Sequence, residues 1–262
     1  MKKIYVMVDM EGISGVCMSE QVSGDGEAYQ RARKYLTWDV NACIEGCFQG
    51  GAGKVMVRDA HGGGYHIIWE ELDPRALNTH GDTGRERMPG ISGYDGLILL
   101  GYHAMAGTPA AILEHTMSSK SFQNLWINGE KAGEITIDAG IAGDHGVPTI
   151  MISGDDKTCR EAKHLIPSVV AAEVKKGLAV RGGILLPMKK AREVIIACAA
   201  MAVSQCKKIK PVRVKNPVTM RLELISRGRV PQNRPGVKVI DGRSYEAVGR
   251  TVEEAMNNLF MD

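Results

Sequence analysis

Apolar and polar positions along this chain follow two rhythms. Residues 3–8 (KIYVMV), 54–58 and 96–100 (GLILL) form short, nearly continuous apolar runs, the pattern of strands buried on both faces. Between them, residues 28–49 carry a long helical pattern closed by Gly50-Gly51, and residues 66–72 a short one ended by Asp73-Pro74. Residues 125–128 with Lys131 predict a strand and a turn at Asn128-Gly129. A helix over 134–144 and a strand over 148–152, stopped by Ser153-Gly154-Asp155-Asp156, follow. This succession predicts an α/β fold: a mostly parallel sheet with helices on both faces.

The last third changes style. Residues 191–205 predict a helix, and 218–224 alternate like a half-exposed strand. Residues 237–240 and 245–248 flank the Asp241-Gly242 turn, and 251–260 close as a helix. That pattern suits a smaller α+β unit. The expected division is residues 1–178 as an α/β metal-binding catalytic domain and 179–262 as the smaller domain, parted near Arg181-Gly182-Gly183. No repeat or low-complexity tract interrupts the pattern.

Composition narrows the classes. With 262 residues, 44% hydrophobic and 24% charged, the chain can bury a sizeable core as an ordinary soluble protein. Its 33 basic and 30 acidic residues give a net charge of +3, without the clustered basic face of a nucleic-acid binder. The run Lys207-Lys208-Ile209-Lys210 reads as a solvated helix end. No apolar stretch is long enough to span a membrane, and the N-terminus lacks a signal-peptide core. Cys17, Cys43, Cys47, Cys159, Cys198 and Cys206 form no paired framework. Reduced thiols in a cytoplasmic protein are the expectation.

Chemistry collects where the apolar runs stop. The first run leads into Asp9 and Glu11, the second into Asp59-Ala60-His61, and the run 96–100 into Gly101-Tyr102-His103. In an open α/β sheet these strand ends share one edge, where ligands bind. Asp9 and Glu11 are two apart, so on a continuing strand both side chains face the same way and repel. Acids and imidazoles without thiolates suit Zn²⁺ or a similar first-row divalent ion. Each residue alone has a plainer reading as a loop acid, a solvated turn or a core histidine; their coincidence at one edge favours a metal.

Other candidates lack context. Ser14 has no nucleophile-elbow setting, and Gly62-Gly63-Gly64 lacks the Lys-Ser/Thr of a phosphate loop. Asp155-Asp156 reads as a helix cap, with an amine site as the alternative. His66, His80, His145 and His164 have no partner motif.

Several elements together resemble one family. They are Val8-Asp9-Met10-Glu11-Gly12-Ile13-Ser14-Gly15, Asp59-Ala60-His61, Leu100-Gly101-Tyr102-His103-Ala104, Glu114-His115, Gly133-Glu134 and Gly154-Asp155-Asp156. In order and approximate spacing they are similar to the D-aminopeptidase family, and Pro235-Gly236-Val237 extends the likeness toward the C-terminus. The resemblance implies a peptidase with two Zn²⁺ per subunit. Asp9 then matches the bridging ligand, Glu11 and His103 the other ligands of one zinc, and His61 and Glu134 those of the second. Glu134 enters only this way, since an acid in a first helical turn is already explained by the helix dipole. His115 matches the family's catalytic histidine.

The implied reaction is attack of a metal-bridging hydroxide on the carbonyl of a short peptide with a free N-terminal D-residue, such as D-Ala-D-Ala. His115 would pass a proton to the leaving amine. A ring-like homo-oligomer is implied as well, with no membrane or nucleic-acid partner. Two rival readings stay open: a binuclear-zinc amidohydrolase acting on another small amide, and a metal or peptide binder without turnover.

Overall fold

A computed structural model describes residues 1–227 and 230–260. Its central sheet joins β1 (Lys2–Val8), β2 (Ala52–Asp59), β3 (Leu77–Thr79), β4 (Gly96–Leu100), β7 (Thr149–Asp155), β8 (Val170–Ala179) and β9 (Gly182–Leu185). The spatial order is β3-β2-β1-β4-β7-β8-β9. All neighbours run parallel except the final β8–β9 pair. Ile4 through Val8 and Leu97 through Leu100 are fully buried at every position. Successive side chains point to opposite faces, so both faces are covered. The covering helices are α1 (Glu27–Gln49), α2 (Glu134–Asp144), α3 (Asp156–Leu165) and α4 (Met188–Ser204), with α1 packed along α4.

The second sheet is antiparallel. It orders β11 (Val237–Val239), β12 (Ser244–Gly249), β10 (Val218–Leu224), β5 (Phe122–Ile127) and β6 (Glu130–Lys131), with α5 (Val252–Phe260) against β12 and β10. Strand β10 buries every other residue, as its alternation predicts. Two strands of this sheet come from the middle of the chain, and the expected division at 178/179 falls inside β8, one residue before its end.

Three local expectations change. Residues 66–72 form only a single 3-10 turn, Trp69–Glu71. Side chains from elsewhere hold the start of this segment: the Asp59 carboxylate accepts from His66 and Ile67 (2.6 and 3.1 Å), and Thr37 Oγ1 accepts from Ile68 (2.9 Å). The strand expected to stop at Ile152 continues to Asp155, because pairing with β8 runs past Ser153 and Gly154. Strands β3, β8 and β9 were not foreseen; β8 mixes Lys, Gly and Glu with its apolar residues and lacks a clean period.

Candidate metal centre

Register brings the site together. Val8 pairs with Asp59 on one side and with Leu100 on the other, so β1, β2 and β4 end level. The ladder persists one step further, through Asp9 N–H to Leu100 O and Ala60 N–H to Val8 O, both 2.9 Å. Asp9, His61 and His103 therefore leave the sheet at one edge. Gly12 and Gly101 make the close approach possible. The Gly12 amide donates to Gly101 O at 2.7 Å, and Gly101 sits at φ +73°, where L residues are strained. Glu134 arrives as the first residue of α2. His115 arrives on an irregular loop whose Leu113, at φ +53°, donates its amide to Val180 O at 2.8 Å.

The six side chains named from the sequence converge. His61 Nδ1 lies 2.9 Å from Asp9 Oδ1 and 3.0 Å from Glu11 Oε2. His103 Nε2 lies 3.3 Å from both Asp9 Oδ2 and Glu134 Oε1. His115 Nε2 is 3.8 Å from Glu134 Oε1, and its ring stacks on His103 with centroids 3.9 Å apart. Two three-residue groups result, Asp9-Glu11-His61 and His103-His115-Glu134, each compact enough to hold an ion, with Asp9 reaching both. The short contacts thus pair Glu11 with His61 and Glu134 with His103, whereas the family resemblance pairs them the other way.

Do these residues suit a metal? Each imidazole has its outer nitrogen against a backbone carbonyl: His61 Nε2 on Val22 O (2.8 Å), His103 Nδ1 on Ala104 O (3.0 Å) and His115 Nδ1 on Leu113 O (2.9 Å). If those nitrogens carry the protons, the inward nitrogens present lone pairs, as metal-bound histidines do. Asp9 Oδ2, Glu11 Oε2 and His103 Nε2 are buried without a hydrogen bond. Asp9 Oδ2 and His103 Nε2 lie 3.3 Å apart and Glu11 Oε2 lies 3.0 Å from His61 Nδ1, yet none of the three is aimed to bond. Buried polar atoms in that state are costly, and a cation satisfies them together. The donor set fits zinc.

The acids and imidazoles also shift one another's titration. Burial works against charge here, but the neighbouring imidazoles hold the Asp9 carboxyl well below its ordinary range. Despite burial, Glu11 and Asp9 raise His61, and Glu134 and Asp9 raise His103. Glu134 falls to about 2, burial being outweighed chiefly by His103.

The centre opens into a cavity of about 770 Å³ lined by Asp9, Glu11, His61, His115, Glu134 and Arg87, among others. Arg87 was not foreseen from the sequence. Its guanidinium binds the Asp138 carboxylate at two points, and the Tyr102 hydroxyl donates to the same carboxylate. Lys175 was missed too: it is 2% exposed, and burial pushes its ammonium down to about 8. No local signal marks either residue, because both act through contacts far along the chain.

The other candidates have structural work. Ser14 donates from its amide and hydroxyl to Asp39 (2.8 and 2.6 Å). Asp155 caps α3, accepting from Lys157 and Thr158, and also holds the Ile112 amide. His66 buttresses the centre, with Nε2 2.8 Å from His61 O.

Comparison with known proteins shows the family. The chain matches the D-aminopeptidase family, Peptidase_M55, over residues 1–261. It is 32% identical over 246 residues to a D-aminopeptidase of Bacillus subtilis (strain 168), covering 92% of this chain and 88% of that one. Its fold is similar to that of the Zn-dependent D-aminopeptidase DppA from Bacillus subtilis, described as a self-compartmentalizing protease. The TM-score is 0.90 at 29% identity, over 98% of this chain and 94% of the other.

Proposed function

Because the chain belongs to the D-aminopeptidase family, we propose that it hydrolyses short peptides or amides bearing a free N-terminal D-residue, such as D-Ala-D-Ala. Asp9, Glu11, His61, His103 and Glu134 would hold two zinc ions per chain, with Asp9 shared between them. The observation that carries this reading is the convergence of buried, unbonded ligand atoms on either side of Asp9. Bound there, zinc supplies an activated water and a Lewis acid for the scissile carbonyl.

The protein's own groups do the rest. His115 Nε2 faces the cavity while Nδ1 is tied to Leu113 O, so the ring can take or give a proton at one defined atom. That atom would protonate the leaving amine nitrogen as the amide C–N bond breaks. Stacking on His103 and the contact with Glu134 hold the ring's plane. By likeness to the self-compartmentalizing Bacillus protein, the chain would assemble into a homo-oligomer around its cavities; a ring-like arrangement and a cytoplasmic location belong to the same proposal. Among the described residues, no helix is long and apolar enough to cross a membrane.

The test is metal content together with hydrolysis of D-alanyl, L-alanyl and N-acyl amides before and after chelation. Two zinc equivalents and chelator-sensitive turnover of the D-alanyl substrate support the reading. Preference for an N-acyl amide would make the protein a different amidohydrolase, and bound zinc without turnover of any substrate would make it a binder.

A further inference from the structure

Lys175 is a buried cation with an unusual set of partners. Its Nζ lies 2.6 Å from Glu11 O, 3.0 Å from Ile13 O and 2.7 Å from Val16 O. An ammonium has three protons, so all are spent on backbone carbonyls of one short loop. Among the described residues no carboxylate comes within ion-pair distance of it. Asp155, Asp39 and Glu11 act on it only as charges beyond that distance; burying a cation with no carboxylate in contact is expensive, and an apolar side chain would fill the same space at lower cost. The expense is explained if the loop itself must be held. From another element Asp39, 1% exposed on α1, accepts from the Ser14 amide and hydroxyl. A third attachment joins the Gly12 amide to Gly101 O. The loop that turns Glu11 toward the cavity is therefore fixed by β8, α1 and the end of β4, and none of these contacts uses the Glu11 carboxylate.

We infer that Lys175 is a positioning residue of the metal centre, clamping the loop after β1 through three of its carbonyls so that Glu11 meets the ion at bonding distance. The inference rests on the reading of Glu11 as a ligand. Metal–ligand distances tolerate only about 0.2 Å, far less than an unclamped loop would wander.

The experiment measures Zn²⁺ affinity of the full chain by chelator competition, and the visible absorption of the Co²⁺-loaded protein, in wild type, Lys175→Met, Ser14→Ala and Glu11→Gln. Lys175→Met is expected to weaken zinc about tenfold to a hundredfold, the usual effect of losing a residue that orients a ligand, and to change the Co²⁺ spectrum. A lysine serving only the fold would lower the melting temperature and leave both readouts alone. Zinc affinity within about twofold of wild type in Lys175→Met overturns the inference, because it falls outside that range. Should Lys175→Met not fold, Ser14→Ala decides: it releases the hydroxyl bond that ties the same loop to Asp39 of α1, and a loss of about threefold or more supports the clamp while a smaller one overturns it. Unchanged affinity in Glu11→Gln would remove Glu11 from the ligands and the inference with it, leaving the peptidase assay to judge the enzyme separately.

Discussion

Replacing Gly12 by alanine places a methyl carbon 1.8 Å from Tyr102 O, 2.5 Å from Gly101 C and 2.6 Å from Gly101 O. All three are backbone atoms at the end of β4, so no rotamer change can make room. Reaching even a tight 3.0 Å contact requires a displacement of roughly 1.2 Å, several times the ~0.2 Å that metal coordination tolerates. Asp9 and Glu11 lie within three residues on the same loop and would move with it. Overpacking costs about 1–3 kcal/mol, and loss of the Gly12–Gly101 hydrogen bond about 1 kcal/mol more. Together, at about 2–4 °C per kcal/mol for a chain of this size, Tm should fall by roughly 5–15 °C. Zinc affinity should fall further than stability alone explains. Gly24→Ala is the control: Gly24 has φ +92° but nothing within 4 Å, so it should lose only about 1–2 kcal/mol of backbone strain and bind zinc normally. Differential scanning calorimetry and chelator competition read both quantities. A Gly12→Ala protein with wild-type zinc affinity would refute the argument that this contact sets the ligand geometry.

Other substitutions separate the remaining parts. Glu161 is half-buried, with Oε2 accepting from the Met105 amide and Oε1 buried and unbonded, and desolvation raises its carboxyl to about 7. A folded pKa above the unfolded value of 4.5 favours the folded state at low pH and is lost as pH rises through 7. Glu161→Gln should therefore match wild type at about pH 3.5, below the unfolded value, and exceed it by up to about 3 kcal/mol near pH 8, in urea unfolding of the metal-free protein; an equal difference at both pH values would count against burial as the cause. Asp9→Ala should lose both zinc equivalents by elemental analysis, and retention of one tightly bound ion would take Asp9 out of the shared position. His115→Ala should keep its zinc while losing about 10²–10⁴ in amide hydrolysis, and less on a nitroanilide whose leaving group needs little protonation. Loss of an ion in that variant would make His115 a ligand.

Legibility from sequence followed locality. Residues 96–100, 134–144 and 218–224 were read to their ends, because full burial, a first-turn acid after glycine and strict alternation are each written in consecutive residues. Asp9, Glu11, His61 and His103 were equally readable, since each follows a strand within three residues and parallel register does the rest. Glu134 and His115 were reachable only by resemblance. Both approach the sheet edge through the long segment from Gly101 to Gly133, whose path depends on tertiary contacts such as Leu113 N–H to Val180 O. The second sheet was opaque for a related reason: β10 pairs with β5 across about ninety residues, and neither strand carries a mark of its partner.

Lys175 shows why such residues escape. In Val174-Lys175-Lys176-Gly177 the two lysines are chemically identical, yet Lys175 is buried and Lys176 exposed. Strand alternation offers two registers, and nothing nearby chooses between them. The choice is made some 160 residues away, where a loop bent by Gly12 and Gly15 turns its carbonyls inward and leaves them without partners. Buried carbonyls need a donor, and an ammonium that can serve three at once is the compact solution. The loop after β1 and the lysine on β8 are thus two halves of one requirement: a loop that turns the Glu11 side chain toward the cavity leaves the carbonyls of Glu11, Ile13 and Val16 facing the core.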